Sequence, residues 1–333
     1  MDSVEEMNTF GEHFTFTSFG ESHGKAVGGV VDGVPAGTVV SLDIIRDMLL
    51  RRSGKGQEGV SPRAANEQDE VEWLSGVILE DDRLIALGTP IAFLIRNNDA
   101  RSRDYEWLRH SFRPGHADYT YEAKYGIRDY RGGGRASARE TAARVAAGAI
   151  AKQMLEKKGI FISARLLQVG TETDPAKMDS LLKEVQNAGD SVGGIVGCTI
   201  EGLPAGIGEP LFGKLQARLA AAVMSINGCH GFDYGFGFDS LDRRGSDLYE
   251  KDGKPVDVSS SQAMTGGIAG GISDGTTVCF RCLFKPAATI RRLYGGRHDS
   301  CIAVRAVPVV EAMTALAVFD ITSCCAEFLS DSM

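Results

Sequence analysis

Apolar and polar positions alternate over His13–Phe19 (HFTFTSF), a period of two that predicts a strand with one buried face. The next apolar run, AVGGVVDGVPAG, is punctuated by glycine and predicts two strands around a turn. The period then changes. LDIIRDMLLRR carries apolar residues at helical spacing, with Ser41 as its expected N-cap and an end before Ser53-Gly54. A loop rich in Gly, Ser and charge covers 54–70. RETAARVAAGAIAKQMLEKK, from Arg139 to Lys158, predicts an alanine-rich amphipathic helix stopped by Gly159. Asp174 or Pro175 starts another helix, which closes near Gly189.

A pattern then recurs. Asp32–Gly37 reads DGVPAG and Glu201–Gly206 reads EGLPAG; each follows a glycine-rich β run and precedes a helix, the second being KLQARLAAAVMSI. Two such units predict one domain spanning 1–333 with pseudo-equivalent halves of about 10–160 and 161–328, not a solenoid. Helices mixed with hairpin-like strands favour a layered α+β fold over a doubly wound parallel sheet. No GxGxxG opens a strand-to-helix turn, so a dinucleotide fold is unsupported.

Composition narrows the class. The chain of 333 residues is 43% hydrophobic and 24% charged, enough for a real core. Its net charge of −8 argues against a nucleic-acid or membrane-surface binder, so any anionic ligand must meet locally focused positive charge. MDSVEEMNTF has no basic start before an apolar run, and no apolar stretch reads as long enough to span a bilayer; a cytoplasmic protein is expected. Seven scattered cysteines suit free thiols in a reducing compartment, and Cys279-Phe-Arg-Cys282 reads as part of a strand.

The chemistry concentrates at RGGGRASARET, Arg131–Thr141. Three glycines let backbone N–H groups approach a ligand, Ser137 and Glu140 form a capping box, and Arg131, Arg135 and Arg139 offer forks for phosphate or carboxylate. The plainer alternative is a solvated loop with an ordinary cap. His23 in GESHG is either a surface residue or one held for proton transfer. His116 in RPGHAD is a second turn histidine beside an arginine. A further glycine loop, GGIAGG followed by SDG, precedes KPAAT (Lys285–Thr289) and GRHD. There Arg297 and Asp299 are either a cationic contact and a base or a surface ion pair. No HExxH, P-loop, GxSxG or EF-hand pattern occurs, and no metal site is expected.

These motifs, in this order, resemble the chorismate synthase family: FGESHG, RNNDARSRDY, the long run from FRPGHAD to GAIAK, GLPAGIGEP, MSIN, GGIAGGISDG, KPAATI and GRHDSC. The resemblance implies a β-α-β sandwich with antiparallel sheets around helices and internal pseudo-twofold symmetry, assembled as a homotetramer. It implies a lyase of the shikimate pathway to aromatic amino acids. The reaction is 1,4-anti elimination of phosphate from 5-enolpyruvylshikimate 3-phosphate, with reduced FMN as cofactor. By the same resemblance His23, backed by Ser22, protonates the leaving phosphate or its surroundings. His116 stabilises the reduced flavin at its N1 edge, and Asp299 assists proton removal near N5 with Ser137 in the relay. Arg135, Ala136, Ser137, Asn227, Gly228, Gly270, Lys285, Pro286, Ala287, Ala288, Thr289 and Arg297 match the flavin-contacting segments. Arg51, Arg52, Arg113 and Arg139 would grip the substrate's acidic groups. Reducing equivalents come from NADPH used by the chain itself or from an external flavin reductase; no separate reductase domain is visible, so external reduction is expected.

The chain departs from the family's pattern in four places. SGKGQEG, with Gln57, follows Arg51-Arg52; Ala263-Met264-Thr265 stands before the glycine loop; Gly228-Cys229-His230 follows Asn227 where the family has a small, an apolar and a lysine residue; and only Arg291–Gly295 separate KPAATI from GRHD. Two other classes compete with an active flavin lyase: a degenerate relative that binds flavin or phosphate without turnover, and an unrelated phosphosugar lyase without flavin.

Overall fold

The computed structural model describes residues 8–60, 69–98, 102–256, 264–294 and 298–323. Two antiparallel sheets enclose a layer of helices. The first sheet holds β1 (Thr9–Phe10), β2 (Thr15–Phe19), β3 (Ala26–Asp32), β5 (Val71–Ser75) and β8 (Ile91–Arg96), in the order β1-β2-β3-β8-β5. Beside it, β4 (Val39–Ser41), β6 (Val77–Glu80) and β7 (Arg83–Ala86) form a three-stranded sheet. The second large sheet is built from β9 (Phe161–Val169), β10 (Gly194–Glu201), β11 (Cys229–Tyr234) and β12 (Val278–Phe284), in the order β11-β12-β10-β9. Cys279 and Cys282 lie in β12, as the apolar run predicted, and the five described cysteines are free thiols.

Six helices matter here: α1 (Leu42–Ser53), α2 (Asp118–Tyr125), α3 (Thr141–Glu156), α4 (Pro175–Ala188), α5 (Leu215–Met224) and α6 (Ile302–Ser323). Helix α3 packs on β2, β3 and β8, α6 packs on β9, β10 and β12, and the two helices pack on each other. Both are apolar nearly all round, which is the pattern of a helix covered on every side. Their backbones meet at Gly148, where an added Cβ would stand 2.5 Å from Ala312 Cα. The layered α+β expectation is therefore met.

Several local expectations change. Helix α6 is long and apolar enough by length and composition to cross a bilayer, contrary to the sequence reading. It is instead the core helix: most of it is buried between the sheets, and its Glu311 and Asp320 are ion-paired to Arg51 and Arg218. Ser41 precedes α1 without a side-chain cap; the Gln153 carboxamide binds its backbone N–H and C=O instead. Asp174 does cap α4, accepting from Ala176 and Lys177 N–H, and Pro175 occupies the first turn. The helix expected from Ser137 or Arg139 begins only at Thr141. Ser137 caps a short 3-10 turn, Ala138–Glu140, where its hydroxyl accepts from Arg139 N–H at 3.4 Å.

Candidate active site

A cavity of about 380 Å³ opens where α3 and α6 begin, so the positive ends of both central helices face it. Five segments and two tyrosines, Tyr105 and Tyr121, supply its wall: 113–117 ahead of α2, 132–139 ahead of α3, 227–230 at the start of β11, 285–289 after β12, and 298–305 entering α6. Of the residues expected at a site, it gathers Arg113, His116, Ala136, Ser137, Arg139, Asn227, Gly228, Lys285, Ala287, Ala288, Thr289 and Asp299. Segments far apart in sequence meet because loops at one end of two sheets converge on one helix layer.

His116 is held from behind. Its Nδ1 lies 2.9 Å from Asp118 Oδ1, and the same carboxylate takes a bidentate pair from Arg113 at 2.8 Å and 2.8 Å and the Arg113 backbone N–H at 3.0 Å. Burial alone would raise the Asp118 carboxyl, but Arg113 and His116 outweigh it and hold the group well below the usual carboxylate range. The contact with Nδ1 is one of charge proximity without hydrogen-bond alignment, and it leaves Nε2 on the Gly133 side.

The triple glycine has a use that the sequence did not disclose. Gly132, Gly133 and Gly134 all have positive φ (65°, 90° and 53°). A Cβ on Gly132 would stand 2.5 Å from His23 Nε2 and 2.9 Å from Ser22 Oγ. On Gly133 it would stand 2.9 Å from His116 Cε1, and on Gly134 2.6 Å from Glu21 Oε2. The loop is thin so that both histidines can press against successive glycines. Three of its amides, Gly134, Ala136 and Ser137, make turn bonds within the loop.

His23 and Ser22 are buried behind Gly132 and do not line the cavity; His23 packs edge-on against Tyr105, which does line it, with ring centroids 5.0 Å apart. Burial pushes the neighbouring Glu21 carboxyl above its ordinary value despite Arg135. Arg135 points away from the cavity. It donates to Gly20 O and Ser18 Oγ and lines a larger cleft of about 1380 Å³ on the far side of the loop.

Each of the four arginines expected to grip the substrate is paired with a carboxylate in this structure. Arg51 makes a bidentate pair with Glu311 at 2.9 Å, away from the cavity, because Glu311 lies buried between α1 and β9, where it also accepts from Ala164 N–H. Arg52 and Arg139 share the buried Asp69. Arg139 further donates to Asn97 Oδ1 at 2.7 Å and Arg96 O at 3.0 Å. Burial opposes charge on Asp69, yet Arg52 and Arg139 win and lower its pKa to about 2. Arg113 and Arg139 still line the cavity, but as parts of ion pairs.

Asp299 lines the cavity with Arg305 Nη1 3.2 Å from its Oδ2. Asn227 donates to Arg135 O, while its Oδ1 is buried with no hydrogen-bond partner among the described residues. Pro286 and Gly270 line neither cavity, Gly270 turning the hairpin Ile268–Ser273. Arg297 lies outside the described residues. Asp69, Tyr105, Asp118, His230, His298 and Arg305 were missed as site residues. Asp118 was findable, two positions after His116 in one turn. Asp69 carried no local signal.

Comparison with known proteins gives one answer. The family model described as chorismate synthase matches residues 14–322. The chorismate synthase of Azobacteroides pseudotrichonymphae is 46% identical over 357 residues, covering 94% of this chain and 98% of its own. That of Phocaeicola vulgatus is 44% identical over 355, covering 94% and 97%. These aligned lengths exceed the 333 residues of the chain, so the relatives carry segments with no counterpart here. A crystal structure of chorismate synthase superposes with a TM-score of 0.70 at 28% identity, covering 94% of this chain and 92% of that one.

Proposed function

The chain belongs to the chorismate synthase family, and we propose that it eliminates phosphate from 5-enolpyruvylshikimate 3-phosphate with reduced FMN held in the 380 Å³ cavity. The observation that carries this reading is the convergence of His116, Ser137, Asn227, Lys285 and Asp299 on one wall. The residues suit the cofactor. The buried Asn227 Oδ1, without a hydrogen-bond partner among the described residues, suits a ring N–H as acceptor, and the Lys285 ammonium suits an anionic edge or phosphate. Ala136, Ser137, Gly228 and Ala287 to Thr289 supply backbone close to a planar ring. When bound, reduced FMN supplies transient electron density for the loss of phosphate.

The chain's own residues handle protons and orientation. His116, fixed by Asp118, presents Nε2 as a charge-stabilising donor. His23 stands behind Gly132 with Ser22 beside it, outside the cavity lining, and in this reading it acts on the departing phosphate from behind that wall, next to Tyr105. Asp299, paired with Arg305, accepts the proton lost from the ring, with Ser137, which lines the same cavity, as relay. Ser137 also caps its turn, and the 3.4 Å length of that bond leaves the hydroxyl free to serve both ends. Arg113 and Arg139 keep this wall in shape and contribute positive potential through their pairs.

The same reading covers the setting: a cytoplasmic homotetramer whose FMN is reduced by an external flavin reductase drawing on NADPH. Free thiols at the five described cysteines suit a reducing compartment. Exposed Leu211, Phe212, Phe238 and Leu241 offer apolar surface for subunit contact. The test is an anaerobic assay with dithionite-reduced FMN. Equal release of chorismate and phosphate, abolished when reduced flavin is withheld, is expected. Chorismate formed without flavin, or flavin bound without chorismate, sinks the proposal.

A further inference from the structure

We infer that His230 is a further anion-binding residue of this site, holding with Lys285 an acidic group, phosphate or carboxylate, of the substrate or the cofactor. The inference rests on the lyase reading of the cavity and adds to it the group that receives the negative charge.

The first support is the ladder between β11 and β12. Cys229 stands opposite Phe284 and Gly231 opposite Leu283, so His230 is an extra residue in a β-bulge. A bulge takes one residue out of the alternation and re-aims its side chain. Here that residue lines the 380 Å³ cavity. The bulge stands close to Lys285, whose backbone N–H donates to Gly228 O at 3.0 Å, two residues before His230.

Charge supplies the second support. A ligand with two carboxylates and a phosphate needs cations that are not already neutralised. Arg113 is paired with Asp118, Arg139 with Asp69, and Arg305 with Asp299. Lys285 is different: its ammonium donates to the Gly115 carbonyl, and among the described residues no carboxylate pairs with it. His230 likewise has no carboxylate partner among the described residues. The other titratable groups on the wall are Tyr105, His116, Tyr121, His298 and Asp299, and Asp299 is its one carboxylate among the described residues. A histidine N–H donates to an oxyanion in either charge state, and with charge it adds to Lys285.

Kinetics with saturating reduced FMN, together with fluorescence titration of oxidised FMN, separate the two sources of the anion. His230→Ala is expected to raise the KM for the enolpyruvyl substrate, or the Kd for FMN, by about tenfold or more, with kcat falling less than KM rises. His230→Lys is expected to recover most of that loss. A KM effect assigns the group to the substrate and a Kd effect to the cofactor. Unchanged KM and Kd in His230→Ala, or no recovery in His230→Lys, overturns the inference. If the wild-type chain releases no chorismate, the lyase reading falls separately. Calorimetric titration with inorganic phosphate then decides His230: weaker binding in His230→Ala upholds its role, and equal binding removes it.

Discussion

Two buried aspartates make the same device with different results. Asp69 sits between Arg52 and Arg139, and Asp118 between Arg113 and His116. In both, burial works against the charge and cationic partners overcome it. The partners of Asp69 are two guanidiniums that stay protonated at any working pH, so the unit never changes charge. It locks α1, the segment two residues ahead of β5 and the entry to α3 together. At Asp118 one guanidinium is replaced by an imidazole, a side chain able to pass a proton on. The same scaffold then serves chemistry. A pair built for rigidity becomes a proton-handling group by exchanging one partner.

The comparison breaks if the two aspartates behave alike. Asp69→Ala leaves two buried guanidiniums without their anion and is expected to cost about 3–5 kcal/mol, read as a fall in the urea midpoint. A loss under about 1 kcal/mol would dismiss Asp69 as a lock. His116→Ala is expected to lower kcat about 10²–10⁴-fold while FMN affinity and melting temperature stay near wild type. An equal fall in stability would return His116 to the structural class.

Gly133→Ala sharpens the point at the loop. At φ 90°, with a Cβ 2.9 Å from His116 Cε1, the substitution is expected to cost about 1–3 kcal/mol and to depress kcat. Gly37→Ala is the control, since its φ is 79° but nothing lies within 4 Å of the added Cβ. Equal kcat in the two variants would show that the glycine serves only the turn. The smallest effect concerns pH. The folded pKa of Asp69 is below its unfolded value, so its contribution of roughly 2 kcal/mol is present above about pH 4. It is lost as pH falls through about 2. Acid melts of the wild type and Asp69→Asn should therefore converge at low pH, and curves that stay parallel would refute the assignment.

Local signals in the sequence were read well. Asp174-Pro175 before α4, the apolar run of β12 and the stop at Gly189 all act within a few residues. Ser41 shows the limit: a good cap by type is displaced because Gln153, far along the chain, reaches its backbone first. The same holds for the arginines. They were visible as cations, but Glu311 and Asp69 neutralise them from remote positions. The triple glycine was read as room for a ligand, and it is room for His23 and His116. Motif order found the cavity, whereas the distribution of charge inside it follows from tertiary pairing.

Asp320, near the end of α6, accepts hydrogen bonds from the backbone amides of Glu12, His13 and Phe14 at 2.9, 2.7 and 2.9 Å, and binds Arg218 at 2.8 Å. The turn that launches β2 is thus fastened by one of the last residues described. During synthesis on a ribosome the first sheet emerges long before this anchor and before the helix that covers the second sheet. The nascent chain must hold its early strands in a soluble, unfinished state until α6 is released. Closure of the fold is therefore a long-range event that waits for α6.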